Sequence, residues 1–195
     1  MDLHGKKVIL ASGSPRRREL LEGLGIEFTV DPDYTFEEAY GPEVPHREVP
    51  VLMSEEKSRT YYRNLADDEI LLTSDTMVLL DDRIMGKPHT RAEAVQMLRS
   101  LSGRTHEVLS AVTVRDNRHS ETVTDSTLVH FRPLTDEEID YYIDGYSPYD
   151  KAGGYGIQEW IGYAACTGIE GSFYNVMGFP MHKVYSLLKK FAEYE

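Results

Sequence analysis

A serine- and arginine-rich segment near the N-terminus has the composition of an anion site. It reads Ser12-Gly13-Ser14-Pro15-Arg16-Arg17-Arg18 and lies between the apolar runs Val8-Ile9-Leu10-Ala11 and Leu20-Leu21. This order predicts a strand, a loop and a helix, because Ser14 is a good N-cap and Pro15 has the φ of a first helical turn. Small-residue turns and helix N-termini present backbone N–H groups to anions, and arginines there add positive charge. We therefore predict an oxyanion site, with phosphate as the expected ligand and a solvated basic helix face as the alternative.

Acidic residues provide a second set of candidates. Asp75 interrupts a near-continuous apolar stretch over residues 70–80. A carboxylate is costly to bury unless it is hydrogen-bonded, paired or metal-bound, which favours a functional role over a turn residue. Glu37 and Glu38 lie in the proline- and acid-rich segment 31–50, which we predict to be a long loop; adjacent loop acids usually face solvent. Glu38 and Asp75 together could hold Mg²⁺ or activate a water molecule.

Two lysines and a glutamine complete the polar set. Lys57 falls in a predicted helix over 51–65, where it would ordinarily be a surface lysine. Lys87 stands between Gly86 and Pro88 on a stiff turn, so it is either a phosphate ligand or a solvent-facing residue; the segment lacks the other residues of a P-loop. Gln158 follows the glycine-rich segment 153–156 and has both a donor and an acceptor for a base edge, although loop glutamines are commonly structural.

Periodicity and turn residues predict an α/β protein. We expect strands at 7–11, 27–30 and 70–74, with a second apolar run over 77–80 and a hairpin turn at Asp81-Asp82. We also expect a hairpin of strands 105–115 and 120–131, and a turn with a strand over 169–176. The expected helices span 16–24, 51–65, 92–101, 136–144 and 180–194, with capping boxes at Thr90/Glu93 and Thr135/Glu138. In an open α/β sheet, ligands bind beyond the strand ends, where the polar residues above are expected to converge. Their chemistry is that of metal-assisted attack of water on a phosphate ester or anhydride.

Composition excludes several other classes. The 195 residues, 41% hydrophobic and 28% charged, suit one globular domain or two small lobes. A formal net charge of −12 argues against nucleic-acid binding as the main role. No apolar stretch approaches the ~20 residues of a membrane span, no signal-peptide core is evident, and the single Cys166 excludes an internal disulfide. We therefore expect a cytoplasmic protein that contacts neither membranes nor nucleic acids.

Several motifs, taken in order, closely resemble the Maf family of nucleoside triphosphate pyrophosphatases. They are Leu10-Ala11-Ser12-Gly13-Ser14-Pro15-Arg16-Arg17, Glu56-Lys57-Ser58, Ser74-Asp75-Thr76, Gly86-Lys87-Pro88, Leu101-Ser102-Gly103-Arg104-Thr105-His106, Asp150-Lys151-Ala152-Gly153-Gly154-Tyr155-Gly156-Ile157-Gln158 and Ile169-Glu170-Gly171-Ser172. The match runs from about residue 8 to residue 188. Motifs of this length in the same order are specific together, although each alone is not.

The resemblance implies an enzyme that hydrolyses a nucleoside triphosphate to the monophosphate and pyrophosphate with a divalent metal, Mg²⁺ or Mn²⁺. It implies a single Maf-like domain over residues 1–195, with a mixed twisted sheet flanked by helices. Two lobes would enclose a central cleft, as in folds of the inosine triphosphatase type, and such proteins often form homodimers.

The resemblance also implies site residues. Asp75 matches the catalytic acid–base residue, and Glu38 an acid that handles metal or water with Asp75. Arg17, Lys57 and Lys87 resemble triphosphate clamps, and Ser12 and Ser14 belong to the substrate-binding loop. Arg16, Thr76 and Gln158 match the branch that prefers dTTP and UTP, whereas the 7-methyl-GTP branch typically carries an aromatic residue, Gln and Glu. This chain departs from the common pattern at Thr35-Phe36-Glu37-Glu38 and at Gly154, where Ala is common.

Gln158 could pair with the O4 and N3–H edge of uracil or thymine, whereas cytosine presents the opposite pattern. The rival hypothesis is a nucleotide-binding regulator of cell division or septum formation with little turnover. That role needs the pocket but not a water-activating acid, so the presence of Asp75 and Glu38 favours the enzyme.

Overall fold

The computed structural model describes residues 1–31, 34, 36 and 39–194. Within these ranges the helices are Pro15–Glu22 (α1), Val49–Arg59 (α2), Arg91–Leu101 (α3), Asp136–Tyr146 (α4), Trp160–Ala164 (α5), Phe173–Val176 (α6) and Met181–Ala192 (α7). The strands are Lys7–Leu10 (β1), Phe28–Val30 (β2), Glu69–Leu80 (β3), Arg83–Met85 (β4), Thr105–Arg115 (β5), Ser120–Phe131 (β6) and Cys166–Glu170 (β7). Short 3₁₀ helices span His46–Glu48, Pro148–Asp150 and Ala152–Gly154. None of the helices in these ranges has the length and apolarity needed to cross a bilayer.

The strands of the described ranges form one mixed sheet in the order β2-β1-β3-β5-β6-β7, with β4 paired to β3. β1 runs parallel to β2 and β3, and Val8 lies opposite both Phe28 and Ile70. β4 runs antiparallel to β3, and β7 runs antiparallel to β6. The predicted α/β class, a mixed sheet flanked by helices, is confirmed.

The chain forms two compact units. The first contains Met1–Asp75, Ser110–Asp125 and Gly178–Glu195, and the second contains Thr76–Leu109 and Ser126–Met177. Each unit is therefore assembled from stretches that are distant in the sequence. A single domain whose lobes enclose a cleft stays a prediction.

In the first unit, β1 and β3 are buried on both faces. The core of one face consists of Val8, Leu10, Leu21, Ile70, Leu72, Val112, Val114, Phe179, Met181, Val184, Leu187, Leu188 and Phe191. The core of the other face consists of Ile9, Ala11, Tyr61, Leu65 and Leu71. Alternate residues of a strand point to opposite faces, so a strand covered on both sides needs an unbroken apolar run. This explains why β1 and the first half of β3 are continuously apolar.

Helix α2 begins and ends earlier than the predicted 51–65. Val49 and Pro50 form its first turn, where proline is favoured, and the 3₁₀ helix 46–48 precedes it. The predicted loop 31–50 is therefore too long at its C-terminal end. Beyond Arg59 the Thr60 hydroxyl donates to Glu56 O at 2.7 Å, a local bond that competes with helix continuation.

The predicted turn and strand over 169–176 was wrong. The strand is β7, which ends at Glu170, and Gly171 follows with φ +133°, where a Cβ would stand 2.6 Å from Thr127 Oγ1. The Ser172 hydroxyl then accepts a hydrogen bond from Asn175 N at 3.3 Å and caps α6. Cap chemistry thus outweighs the strand propensity of the aromatic residues in this segment.

Two other local predictions are confirmed, and a third is confirmed in part. Asp81 and Asp82 both have positive φ, 48° and 63°, as the two-residue turn between β3 and β4 requires. Thr135 and Glu138 form a complete capping box at α4. At α3 the predicted capping box forms in part: the Thr90 hydroxyl accepts a hydrogen bond from Glu93 N, but the Glu93 carboxylate accepts from His89 N at 2.7 Å and not from Thr90 N.

Candidate active site

Two serine hydroxyls shape the loop between β1 and α1. Ser12 Oγ accepts a hydrogen bond from Ser14 N at 3.2 Å. Ser14 is the N-cap of α1, and its Oγ accepts from Arg17 N at 3.5 Å. Ala11 N donates to Leu72 O at 3.0 Å, so the loop leaves β1 beside β3. The predicted strand–loop–helix junction is confirmed, and the two serines stay candidate substrate ligands.

The Arg17 guanidinium contacts the main chain of two other elements. Its Nη1 donates to Ser74 O at 2.9 Å, and its Nε donates to Gly178 O at 3.1 Å. Ser74 immediately precedes Asp75, so Arg17 holds the backbone that leads into this carboxylate. Arg17 therefore has a structural role that the sequence did not indicate, and its role as a triphosphate clamp stays a prediction. Arg16 beside it is half-buried.

Asp75 lies within the uninterrupted strand β3 and pairs with Lys57 of α2. The distance from Lys57 Nζ to Asp75 Oδ1 is 2.8 Å, and each side chain is 14% exposed. The ring of Phe36 lies 5.6 Å from Lys57 Nζ. A carboxylate inside an apolar strand was expected to need a partner, and Lys57 supplies it. A largely buried carboxylate with a cation fixed beside it is placed to act as a proton acceptor for a bound water molecule.

Glu38, the second predicted metal-binding acid, lies outside the described residues. Among the residues that are described, no three His, Cys, Asp or Glu side chains cluster as a metal site would require. Asp75 is thus the predicted metal ligand whose geometry the structure describes.

In the second unit, the turn that carries Lys87 is hydrogen-bonded to the glycine-rich segment. Gly153 N donates to Gly86 O at 3.0 Å. Gly153 has φ +72°, and a Cβ there would stand 3.3 Å from both Val78 methyl groups. Glycine is needed at this position for both reasons. Lys87 is exposed, and within residues 1–31, 34, 36 and 39–194 no carboxylate pairs with it.

Gln158 presents a buried acceptor. Its Oε1 is inaccessible to solvent and receives no hydrogen bond from the described residues. A buried carbonyl oxygen without a donor costs about 1–3 kcal/mol, and a ligand N–H can remove that cost.

Tyr142 of α4 makes hydrogen bonds to the chain on both sides of Gln158. Its hydroxyl accepts from Gly156 N at 2.9 Å and donates to the Glu159 carboxylate. Glu159 also pairs with Lys151 at 3.2 Å. Burial, and then the hydrogen bond to Glu159, raise the pKa of Tyr142, so its hydroxyl remains a donor at every working pH.

Comparison with known proteins identifies the family. A family model described as Maf-like protein matches residues 7–191. The chain belongs to the Maf-like protein family. The resemblance that the motifs indicated is therefore confirmed.

Curated relatives of this Maf-like chain are named dTTP/UTP pyrophosphatase. The protein from Porphyromonas gingivalis is 48% identical over 189 residues, which cover 96% of this chain and 95% of the relative. Those from Parabacteroides distasonis and Phocaeicola vulgatus are also 48% identical, with 95% and 97% of this chain and 96% and 98% of the relatives covered. A solved structure of a HAM1 protein from Coxiella burnetii aligns over 95% of this chain and 99% of its own, at 13% identity and a TM-score of 0.49.

The predicted site residues of this Maf-like chain divide between the two units. The first unit contains Ser12, Ser14, Arg16, Arg17, Lys57 and Asp75, and the second contains Thr76, Lys87 and Gln158. Within the first unit, Arg17 and Lys57 both act on the Ser74–Asp75 segment. Within the second, the Lys87 turn and the glycine-rich segment before Gln158 share a hydrogen bond. That both sets bind one triphosphate stays a prediction.

Two residues that hold the segment around Gln158 were not predicted from the sequence. Tyr142 and Glu159 are 17 residues apart, and no local spacing relates them. The available signal was weak: Tyr142 lies on the same apolar helix face as Ile139, and Glu159 is adjacent to the predicted Gln158.

Proposed function

We propose that this Maf-like chain is a nucleoside triphosphate pyrophosphatase that hydrolyses dTTP and UTP to the monophosphate and pyrophosphate. The near-complete coverage and 48% identity of relatives named for this activity support the proposal. The structural observation that carries it is the Lys57–Asp75 pair, a carboxylate held at 2.8 Å by a lysine inside an apolar strand. Burying two charged groups costs desolvation free energy, and the pair places a carboxylate where it can accept a proton from water.

In the proposed reaction, Asp75 accepts a proton from a water molecule as the water oxygen bonds to the α-phosphorus. The phosphoanhydride bond between the α- and β-phosphates breaks, and pyrophosphate leaves with the electron pair of that bond. Lys57 orients the carboxylate and compensates its charge, and Arg17 holds the strand segment that carries it. The basic residues Arg17, Lys57 and Lys87 are also proposed to bind phosphate oxygens.

A divalent metal, Mg²⁺ or Mn²⁺, belongs to the proposal. The Asp75 carboxylate fits, because Lys57 occupies Oδ1 and no described residue donates a hydrogen bond to Oδ2. Glu38 is proposed as the second oxygen ligand. When bound, the ion would neutralise triphosphate charge, as hard cations with oxygen ligands do.

Selectivity for thymine and uracil is assigned to Gln158, with Arg16 and Thr76. Both bases carry an N3–H donor beside the O4 acceptor, and the buried Gln158 Oε1 is an acceptor that receives no hydrogen bond from the residues that the structure describes. Cytosine has an acceptor at N3 and would leave Oε1 unpaired, which is a strong basis for discrimination. A homodimer and a cytoplasmic location, which the family resemblance implied, stay predictions.

The test is a pyrophosphate-release assay of the purified chain over a panel of nucleoside triphosphates with Mg²⁺ or Mn²⁺. We expect release from dTTP and UTP, and its loss in Asp75→Asn. Asp68→Asn is the matched control, because it makes the same chemical change at a half-exposed carboxylate that pairs with Lys7. Nucleotide binding without turnover would favour the regulator instead.

A further inference from the structure

A buried hydroxyl network joins the two elements that carry the Lys57–Asp75 pair. Ser54 Oγ of α2 donates to Thr73 O of β3 at 3.2 Å, and Thr73 Oγ1 donates back to Ser54 O at 2.8 Å. Both side chains are fully buried. Ser54 lies one helical turn before Lys57, and Thr73 lies two residues before Asp75 on the same strand face. Helix α2 and strand β3 are therefore joined at two places, by hydrogen bonds between uncharged groups at Ser54 and Thr73 and by the ion pair.

The network continues into the sheet. Ser54 Oγ lies 2.8 Å from Thr113 Oγ1 on β5, which lies 2.9 Å from Thr122 Oγ1 on β6. Each hydroxyl has one proton to donate, and that of Ser54 goes to Thr73 O. Thr113 must then donate to Ser54, and Thr122 to Thr113. Rotation of Ser54 would leave a buried polar group unsatisfied, so the network favours one placement of α2 against the sheet.

We propose that Ser54 and Thr73 are positioning residues that fix the spacing at which Lys57 orients the Asp75 carboxylate. This inference rests on the proposed function in one respect, that Asp75 is the base. Two charged side chains on flexible stems do not by themselves define a unique geometry. A displacement of about 1 Å at a reacting group can lower the rate on the order of 100-fold. The hydrogen bonds between Ser54 and Thr73, one helical turn away, supply the rigidity that the ion pair lacks.

The first test compares two variants of Thr73. Thr73→Val keeps the shape and removes the hydroxyl, so kcat for dTTP is expected to fall about tenfold or more while KM changes less than about twofold. Thr73→Ser keeps the hydroxyl and is expected to recover kcat to within about twofold of the wild type. An unchanged kcat in Thr73→Val, or no recovery in Thr73→Ser, would overturn the proposal. Ser54→Ala serves the same purpose if Thr73→Val does not fold.

Thr122→Val is the matched control. It removes a hydroxyl from the far end of the network, on β6, without touching α2 or β3. It is expected to lower stability and to leave kcat within about twofold of the wild type. If it lowered kcat as much as Thr73→Val does, the loss would report general destabilisation, and the proposal would be wrong.

A double-mutant cycle on unfolding measures the positioning without turnover. The coupling between Lys57→Met and Asp75→Asn is determined in three backgrounds: wild type, Thr73→Val and Thr122→Val. We expect the coupling to shrink in Thr73→Val alone, and equal coupling in all three backgrounds would contradict the proposal. If the wild type released no pyrophosphate, the proposed function would fail, while this cycle would still decide whether Thr73 positions the pair.

Discussion

Removing one hydroxyl, that of Tyr142, should loosen the segment that carries Gln158. Tyr142→Phe keeps the ring, which is fully buried, so the apolar packing of α4 is preserved. What disappears is the acceptor for Gly156 N and the donor to the Glu159 carboxylate. Both groups are left with fewer partners in a buried environment.

The expected cost follows from those two bonds. A hydrogen bond to a charged group contributes about 1.5–3 kcal/mol, and an unsatisfied buried donor costs about 1–3 kcal/mol. Glu159 keeps its pairing with Lys151, which places the sum near the lower end, at about 2–3 kcal/mol. For a chain of this size, that corresponds to a fall in Tm of roughly 5–10 °C. Discrimination between dTTP and dCTP should fall as well, because the segment that carries Gln158 loses two of its hydrogen bonds to α4.

Urea denaturation gives the free energy of unfolding, and kcat/KM for dTTP and dCTP gives the discrimination. Tyr146→Phe is the control. This ring stacks on Tyr142 at 5.1 Å and is partly exposed, so removal of its hydroxyl should change the free energy of unfolding by no more than about 0.5 kcal/mol. Equal stability of Tyr142→Phe and wild type, or an unchanged ratio of dTTP to dCTP turnover in a destabilised Tyr142→Phe, would refute this reasoning.

Three further changes test other parts of the structure. Burial, and then a neighbouring histidine, lower the pKa of His106 to about 4, so the folded chain does not bind a proton that the unfolded chain binds below about pH 6.5. The free energy of unfolding, measured by urea denaturation, should therefore fall between pH 6.5 and 4, by about 2–3 kcal/mol at pH 4.5. The fall should be less steep in His106→Gln. Gly153→Ala should lose about 1–2 kcal/mol, because φ is +72° and the new methyl meets Val78, whereas Gly145→Ala within α4 should be stabilising in the same denaturation assay. Gln158→Glu should lower kcat/KM for dTTP and UTP roughly 10–100-fold with little change in Tm; equal losses of activity and stability would count against its selectivity role.

Helix caps and turns could be predicted from the sequence. The Ser14 cap, the Asp81-Asp82 turn and the Thr135/Glu138 capping box each depend on residues within four positions of one another, and all three are confirmed. The apolar runs of β1 and β3 also predicted strands. Where local signals conflicted, as between aromatic strand propensity and the Ser172 cap, the sequence alone led to the wrong element.

The supporting contacts of the site could not be predicted, because they join distant positions. Arg17 reaches carbonyl groups 57 and 161 residues away, and Lys57 reaches Asp75 across 18 residues. In the sequence, Lys57 has the pattern of a surface lysine on a helix. Only the family resemblance marked it as functional, and only the fold shows what it contacts.

Asp75 is proposed to act as the general base in the hydrolysis of dTTP or UTP to the monophosphate and pyrophosphate. The most direct measurement is ³¹P NMR of dTTP incubated with the purified chain and Mg²⁺, in parallel with Asp75→Asn. We expect the dTMP and pyrophosphate signals to grow together with the wild type and to be nearly absent with Asp75→Asn. Growth of dTDP and orthophosphate signals, or equal rates for the two proteins, would contradict it.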